Sequence, residues 1–254
     1  MNNWYKIVAV VALAYVMVWG FIGVIPRQPV LHETARNLYF HVPMWFSMFA
    51  MLGMSVWNSI KFLRKPLMEL DTKASEYANT GILFGIVGII TGSIWARYTW
   101  GDWWTTDVKL NGAAIGILIY FAYIILRGSF NDEQQRARIS AIYNIFAVAL
   151  LIPLLIILPR MTDSLHPGSG GNPGFKPMDT EHTMRIVFYP ACIGWICLGF
   201  WITDLKLRFK KIEQRFQNSL GYGKFKSVFN KTIKWLWIFN FTKSKIENYR
   251  RIWG

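Results

Sequence analysis

Six stretches without a single charged side chain recur along the chain, at residues 7–25, 42–60, 77–96, 110–126, 139–159 and 186–203. Each is close to the length, about 20 residues of helix, that crosses a bilayer. In hydrocarbon the backbone N–H and C=O groups must be satisfied within the segment, so such a stretch folds as helix. The pattern predicts an all-α, polytopic integral membrane protein. Residues 1–205 form a six-transmembrane-helix bundle, and residues 206–254 a basic cytoplasmic tail. A soluble protein with buried helices fits less well, because core helices are shorter and keep a polar face. The first stretch reads as a retained anchor. It exceeds the roughly 7–15 apolar residues of a signal peptide, and Pro26-Arg27-Gln28 follows it where a small-residue cleavage site would stand. Pro153 and Pro190 fall within the fifth and sixth stretches and predict kinks.

Charge orients the bundle. With both termini in the cytoplasm, 21 of the 28 Lys and Arg residues fall on the inner side and 7 on the outer, as the positive-inside rule requires. The tail from Lys206 carries 13 of the inner set, so it supplies most of the asymmetry. The net charge of +14 is therefore concentrated beside a membrane. Attraction to anionic headgroups of the lipid bilayer accounts for it, and no nucleic acid is called for. The tail stretch KWLWIFNF (234–241) suits an interfacial segment. Cys192 and Cys197 are five apart in an apolar run, off the CxxC spacing, and read as packing residues.

This orientation leaves three outer loops, at 26–40, 98–109 and 160–183. The third contains HPGSGGNPGFKP, an irregular, hydrated sequence. All four histidines, His32, His41, His166 and His182, lie on the outer side. His41 stands where the first loop enters the second helix, and His166 just past the outer end of the fifth. Imidazole nitrogen is a good ligand for iron, zinc or copper. Between these two histidines runs WARYTWGDWWTTDVKLNG (95–112). It holds Trp95, Trp100, Trp103 and Trp104, four of the chain's 13 tryptophans, together with Arg97, Asp102, Asp107 and Lys109. An aromatic belt is the plain reading of interfacial tryptophan, but a belt spreads over many helix ends and this is a cluster. Flat rings, two imidazoles and cations suit a planar ligand with a metal centre and carboxylates, as in heme. Histidine would supply axial ligands, tryptophan would pack on the macrocycle, and Arg97 or Lys109 would pair with propionates. On these residues alone a plain interfacial loop remains open beside the heme reading.

Residues 100–110, WGDWWTTDVKL, resemble the tryptophan-rich WWD signature W-G-x-W-W-x-W-D-x-R-L of heme-handling membrane proteins in cytochrome c biogenesis. With HVP at 41–43, an LHxGS pattern at 165–169 and the six-helix size, the chain resembles the heme exporter protein C (CcmC) branch over roughly residues 1–205. The resemblance implies a heme b site on the outer, periplasmic face of a bacterial inner membrane. His41 and His166 would be the axial ligands to the metal. Trp100, Gly101, Trp103, Trp104 and Asp107 would form the platform, with Arg97 and Lys109 as its cationic groups. It implies a binding and transfer protein, not an enzyme, that passes heme to a membrane-anchored chaperone of the CcmE type. ABC-type subunits resembling CcmA and CcmB and a small CcmD-like membrane subunit would be partners. Thr106 stands where the signature has its third tryptophan, Lys109 where it has Arg, and Asn111 where Thr follows. One aromatic contact is thereby lost, and Lys keeps the charge without the bidentate fork. His32 and His182 fall outside the signature.

Other classes fit less of the pattern. A CcsA-type cytochrome c synthase shares the signature and attaches heme to apocytochrome, but is larger. A cytochrome b-type electron carrier needs histidine pairs stacked across the membrane, whereas these four lie toward one side. A small-solute channel explains the aromatic residues but gives the histidines no role. No nucleophile–base pair, metal-spaced Cys/His set or phosphate-binding glycine loop is present in the sequence.

Overall fold

The computed structural model describes residues 3–26, 31–166 and 182–220, with side chains to 216. The third loop beyond His166 and the tail stretch 234–241 lie outside the described residues. The elements are α1 (Trp4–Ile22), a 3-10 turn (His32–Asn37), α2 (Leu38–Arg64), α3 (Met68–Trp100), α4 (Val108–Gly128), α5 (Glu133–Ile152), a π-helical turn (Pro153–Ile157), α6 (Leu158–Met161) and α7 (His182–Leu220). No strand occurs among the described residues. Since α5, the π turn and α6 form one continuous rod, Glu133–Met161, the six uncharged stretches correspond to six long rods. The chain divides into two compact units, Met1–Leu207 and Arg208–Gly254. The first is the membrane bundle. The described part of the second is the end of α7.

Five of the six rods are long and apolar enough to cross a membrane by composition, and α2 is the exception. The reason is its position. α2 buries Ser47, Ser55, Asn58 and Ser59, polar residues that lipid would penalise. Two of these serines join a buried network. Asn144 of α5 donates to Ser55 Oγ (2.7 Å) and Ser59 Oγ (3.0 Å), and accepts from the Tyr120 hydroxyl of α4 (3.1 Å). Ser55 in turn donates to the Ala74 carbonyl of α3 (2.6 Å). A helix can carry such groups in a membrane where its neighbours satisfy them, as here for Ser55 and Ser59. α1 shows the opposite arrangement. It buries only Ala9, Val16 and Gly20 and presents Ile7, Val10, Val11, Val18 and Phe21 outward.

α2 and α3 pack antiparallel along a glycine seam. A Cβ on Gly81 would lie 2.7 Å from Leu52, on Gly85 2.9 Å from Met48, on Gly88 3.0 Å from Trp45 and on Gly92 2.6 Å from His41. The glycines step by four, three and four residues, and their partners step back along α2 in the same rhythm, so one face of α3 has no side chain where α2 needs room. Small residues of this kind let helix backbones approach closely in a membrane. The seam ends at His41 and fixes its depth.

The loops are shorter than the charge pattern predicts. α3 runs through Trp100 and stops at Gly101, whose left-handed conformation (φ 90°) ends the helix as glycine commonly does. The second outer loop is therefore residues 101–107, and Trp95, Arg97 and Trp100 ride on α3. The first loop contains the 3-10 turn, and α2 begins at Leu38, so His41 is a helical residue in its first turns. Pro153 opens the π turn. Its missing N–H breaks the regular ladder, and the shifted backbone lets the Leu154 carbonyl sit where a Cβ on Gly112 would be, at 2.6 Å. At the opposite end of the bundle Arg127 turns back to bind Asp71 with both guanidinium nitrogens, at 2.7 and 2.5 Å.

Candidate functional site

His41 is buried between α2 and α3. Its Nδ1 lies 3.2 Å from Thr91 Oγ1, and its Nε2 lies 3.3 Å from the indole Nε1 of Trp45, one turn along α2. An indole N–H only donates, so Nε2 is the acceptor and the ring proton sits on Nδ1. Thr91 Oγ1 receives that proton's bond and directs its own hydrogen to the carbonyl of Val87 (2.8 Å) or Gly88 (3.1 Å). Trp95 presents its ring at 5.7 Å in an edge-to-face arrangement, and its Nε1 donates to Thr34 Oγ1 (3.2 Å). Asn37 donates to the Thr91 carbonyl (3.0 Å). The first loop is thus tied down over the helix pair that holds His41.

Asp107 organises the second histidine. It is the N-cap of α4 and accepts from the Lys109 amide (2.8 Å), as a short acidic side chain does at a helix start. Its other bonds reach across 57 to 59 residues. Oδ2 accepts from Ser164 Oγ and from the Leu165 amide, both at 2.7 Å, and Oδ1 lies 3.0 Å from His166 Nδ1. Burial opposes ionisation of this carboxyl. The hydrogen bonds from His166 and Ser164, the nearby imidazole and the Leu165 amide outweigh it and hold Asp107 well below the usual carboxylate range. A carboxylate on Nδ1 fixes ring orientation and points Nε2 at whatever the site holds. Trp100 packs edge-to-face on the His166 ring, with centroids 5.0 Å apart.

The two imidazoles, 125 positions apart in sequence, lie close enough to interact electrostatically. The structure sets Trp95 beside His41, and Trp100 and Asp107 beside His166. Lys109 lies within electrostatic range of Asp107 and of Arg160. The remaining expected residues sit at the rim. Trp103 and Trp104 are 58% and 41% exposed. Ser93 donates to the Trp103 carbonyl (2.7 Å), and the Trp104 indole donates to Asn111 Oδ1 (3.1 Å). Arg97 is exposed and donates to the Gly101 carbonyl, so in this structure its guanidinium closes the end of α3. His32 and His182 are exposed, at the starts of the 3-10 turn and of α7. Cys192 and Cys197 carry free thiols within α7.

Sequence reading missed Trp45, Thr91, Gly92 and Ser164. Trp45 carries a legible signal, since the spacing of four in HVPMW stacks its side chain beside His41 on a helix. The glycine spacing of α3 is legible too. The pairing of Thr91 with His41, and of Ser164 with Asp107, has no local signature.

Six membrane-length rods define a multi-pass helical membrane protein, with His41 and His166 each held by an oxygen partner and a tryptophan near one end. The heme exporter protein C family matches residues 1–220, and the chain belongs to that family. It is 29% identical over 207 residues to heme exporter protein C of Escherichia coli K12, covering 81% of each chain. It is 23% identical over 210 residues to the protein of that name from Haemophilus influenzae, covering 83% of this chain and 84% of the relative. A ccmC-like mitochondrial protein of cytochrome c biosynthesis from Marchantia polymorpha is 27% identical over 159 residues, covering 61% and 63%.

Proposed function

We propose that this protein binds heme b as cargo at the histidine end of the bundle, between His41 and His166, and delivers it for cytochrome c maturation. The observation that carries the reading is the matched anchoring of the two imidazoles, each with Nδ1 held by an oxygen acceptor. Two imidazole Nε2 atoms match what a porphyrin iron accepts, its four equatorial positions being filled by the macrocycle. Trp95 and Trp100, beside the two rings, offer faces and edges to a flat ligand. Trp103 and Trp104 add exposed aromatic surface at the rim. Lys109 and Arg160 supply positive charge for propionates. The chain's own work is to bind, orient and release. The exposed rim suits hand-over to a membrane-anchored chaperone of the CcmE type, within a complex that includes CcmA-, CcmB- and CcmD-like subunits. The excess of Lys and Arg on the other side supports a periplasmic position for this end, in the inner membrane.

The test is the absorption spectrum of the detergent-purified protein with added hemin, oxidised and reduced. The wild type is expected to show the Soret band of imidazole-ligated heme, and a His41→Ala/His166→Ala double variant to lose most of it. A band indifferent to both substitutions would overturn the assignment.

A further inference from the structure

The two histidines are held differently, and the difference bears on how heme leaves. His166 has Nδ1 on an anionic carboxylate, which makes the ring a stronger donor to a metal. His41 has Nδ1 on a neutral hydroxyl, and its Nε2 already accepts the indole N–H of Trp45. An imidazole nitrogen carries one in-plane lone pair. Iron and the Trp45 N–H therefore compete for the same electrons.

We propose that Trp45 is a latch on His41. Its indole N–H occupies the iron-binding nitrogen whenever heme is absent and displaces the iron during release, making His41 the first ligand to leave and His166 the last. This rests on the heme reading above. Trp45 is a positioning residue built for this contact. Its ring lies against Gly88, where a Cβ would stand 3.0 Å from the indole, and the His41 ring lies against Gly92 in the same manner. Neither ring has room to swing away across α3, and the two meet nearly perpendicular, at 80°, so the indole edge faces the imidazole nitrogen. When iron takes the Nε2 lone pair, the indole N–H of half-buried Trp45 loses its partner in a medium of low dielectric. A buried donor left unpaired is unfavourable, and this weakens the iron–His41 bond relative to iron–His166. Thr91 works in the opposite direction. By accepting from Nδ1 it holds the lone pair on Nε2, where iron binds. The balance of the two sets the residence time of the cargo.

The experiment compares wild type, Trp45→Phe and Thr91→Val in detergent, each loaded with hemin. Two quantities are read: the fraction of low-spin bis-imidazole heme by electron paramagnetic resonance, and the rate of heme loss to excess apomyoglobin. Trp45→Phe keeps an aromatic ring and removes the N–H. It is expected to raise the low-spin fraction and slow heme loss by about two- to ten-fold, the worth of one such hydrogen bond. Thr91→Val, of similar shape, is expected to move both quantities the other way. Non-specific damage would push both variants toward faster loss. Heme loss from Trp45→Phe as fast as or faster than from wild type overturns the latch while leaving the heme site standing. A wild type without any histidine-dependent heme spectrum overturns the heme reading and the latch together.

Discussion

Asp107 shows how one residue can serve local structure and the site together. It caps α4 and also anchors Ser164, Leu165 and His166. Its carboxyl releases its proton more readily here than in an unfolded chain, where aspartate titrates near about pH 4. The anchorage is therefore complete above that pH and is lost only as the pH falls toward the lower folded-state value. Asp107→Asn should remove it at every pH. In the heme-free protein, the protection of the Leu165 amide against hydrogen exchange should be higher in wild type than in the variant by a constant factor above about pH 5, and the gap should begin to narrow only below about pH 4. Convergence near neutral pH would show that the carboxylate does not control the segment. At this scale His41 and His166 stood out because the chain has only four histidines, and the tryptophans because four of 13 fall within ten positions. Thr91 and Ser164 did not, because an ordinary hydroxyl acquires its role only from a partner 50 or more residues away, or across a loop. Arg97, expected with Lys109 as an alternative partner for propionates, donates to the Gly101 carbonyl at its own helix end, a local bond that spacing alone does not reveal.

Among the elements, the α2–α3 seam decides where the site lies. Gly92→Ala places a methyl 2.6 Å from His41 Cε1, and the imidazole is held by two hydrogen bonds that must give way. The substitution is expected to destabilise the bundle by about 1–3 kcal/mol, the usual range for overpacking, and to weaken hemin binding in titration. Gly53→Ala, on the other helix of the pair, meets nothing within 4 Å. It should be neutral or stabilising by up to about 1 kcal/mol with hemin binding unchanged. Equal behaviour of the two variants in denaturation and titration would mean that close approach along the seam is not what seats His41. The sequence marked α2 as membrane-spanning because it is uncharged. Its Ser55 and Ser59 make sense only with Asn144 and Ala74 beside them.

For the whole molecule, the remaining question is which side of the membrane the site faces. The charge asymmetry predicts that Asp102, exposed in the loop after α3, is outside and Ser129, exposed after α4, is inside. In a background with Cys192 and Cys197 replaced, Asp102→Cys should react with a membrane-impermeant maleimide in intact cells whose outer membrane has been opened. Ser129→Cys should react only after the inner membrane is breached. The reverse pattern would invert the bundle and place the histidines on the cytoplasmic side.

The sequence by itself determined the class of fold, the number of rods and the end at which the histidines gather. Bilayer thickness sets a minimum length for an uncharged helix, and alternating crossings then assign every loop to a side. It also carried the family through the tryptophan-rich stretch, whose composition is too unusual to arise often. Only the tertiary structure decided that Trp95 and Trp100 pack on the imidazoles while Trp103 and Trp104 stay at the rim, that Asp107 is the partner of His166, and that Trp45 occupies the nitrogen His41 would offer to a metal. Those outcomes depend on how closely α3 approaches α2 and how the end of α6 meets the start of α4. Such distances are set by packing between residues far apart along the chain, and no local pattern encodes them.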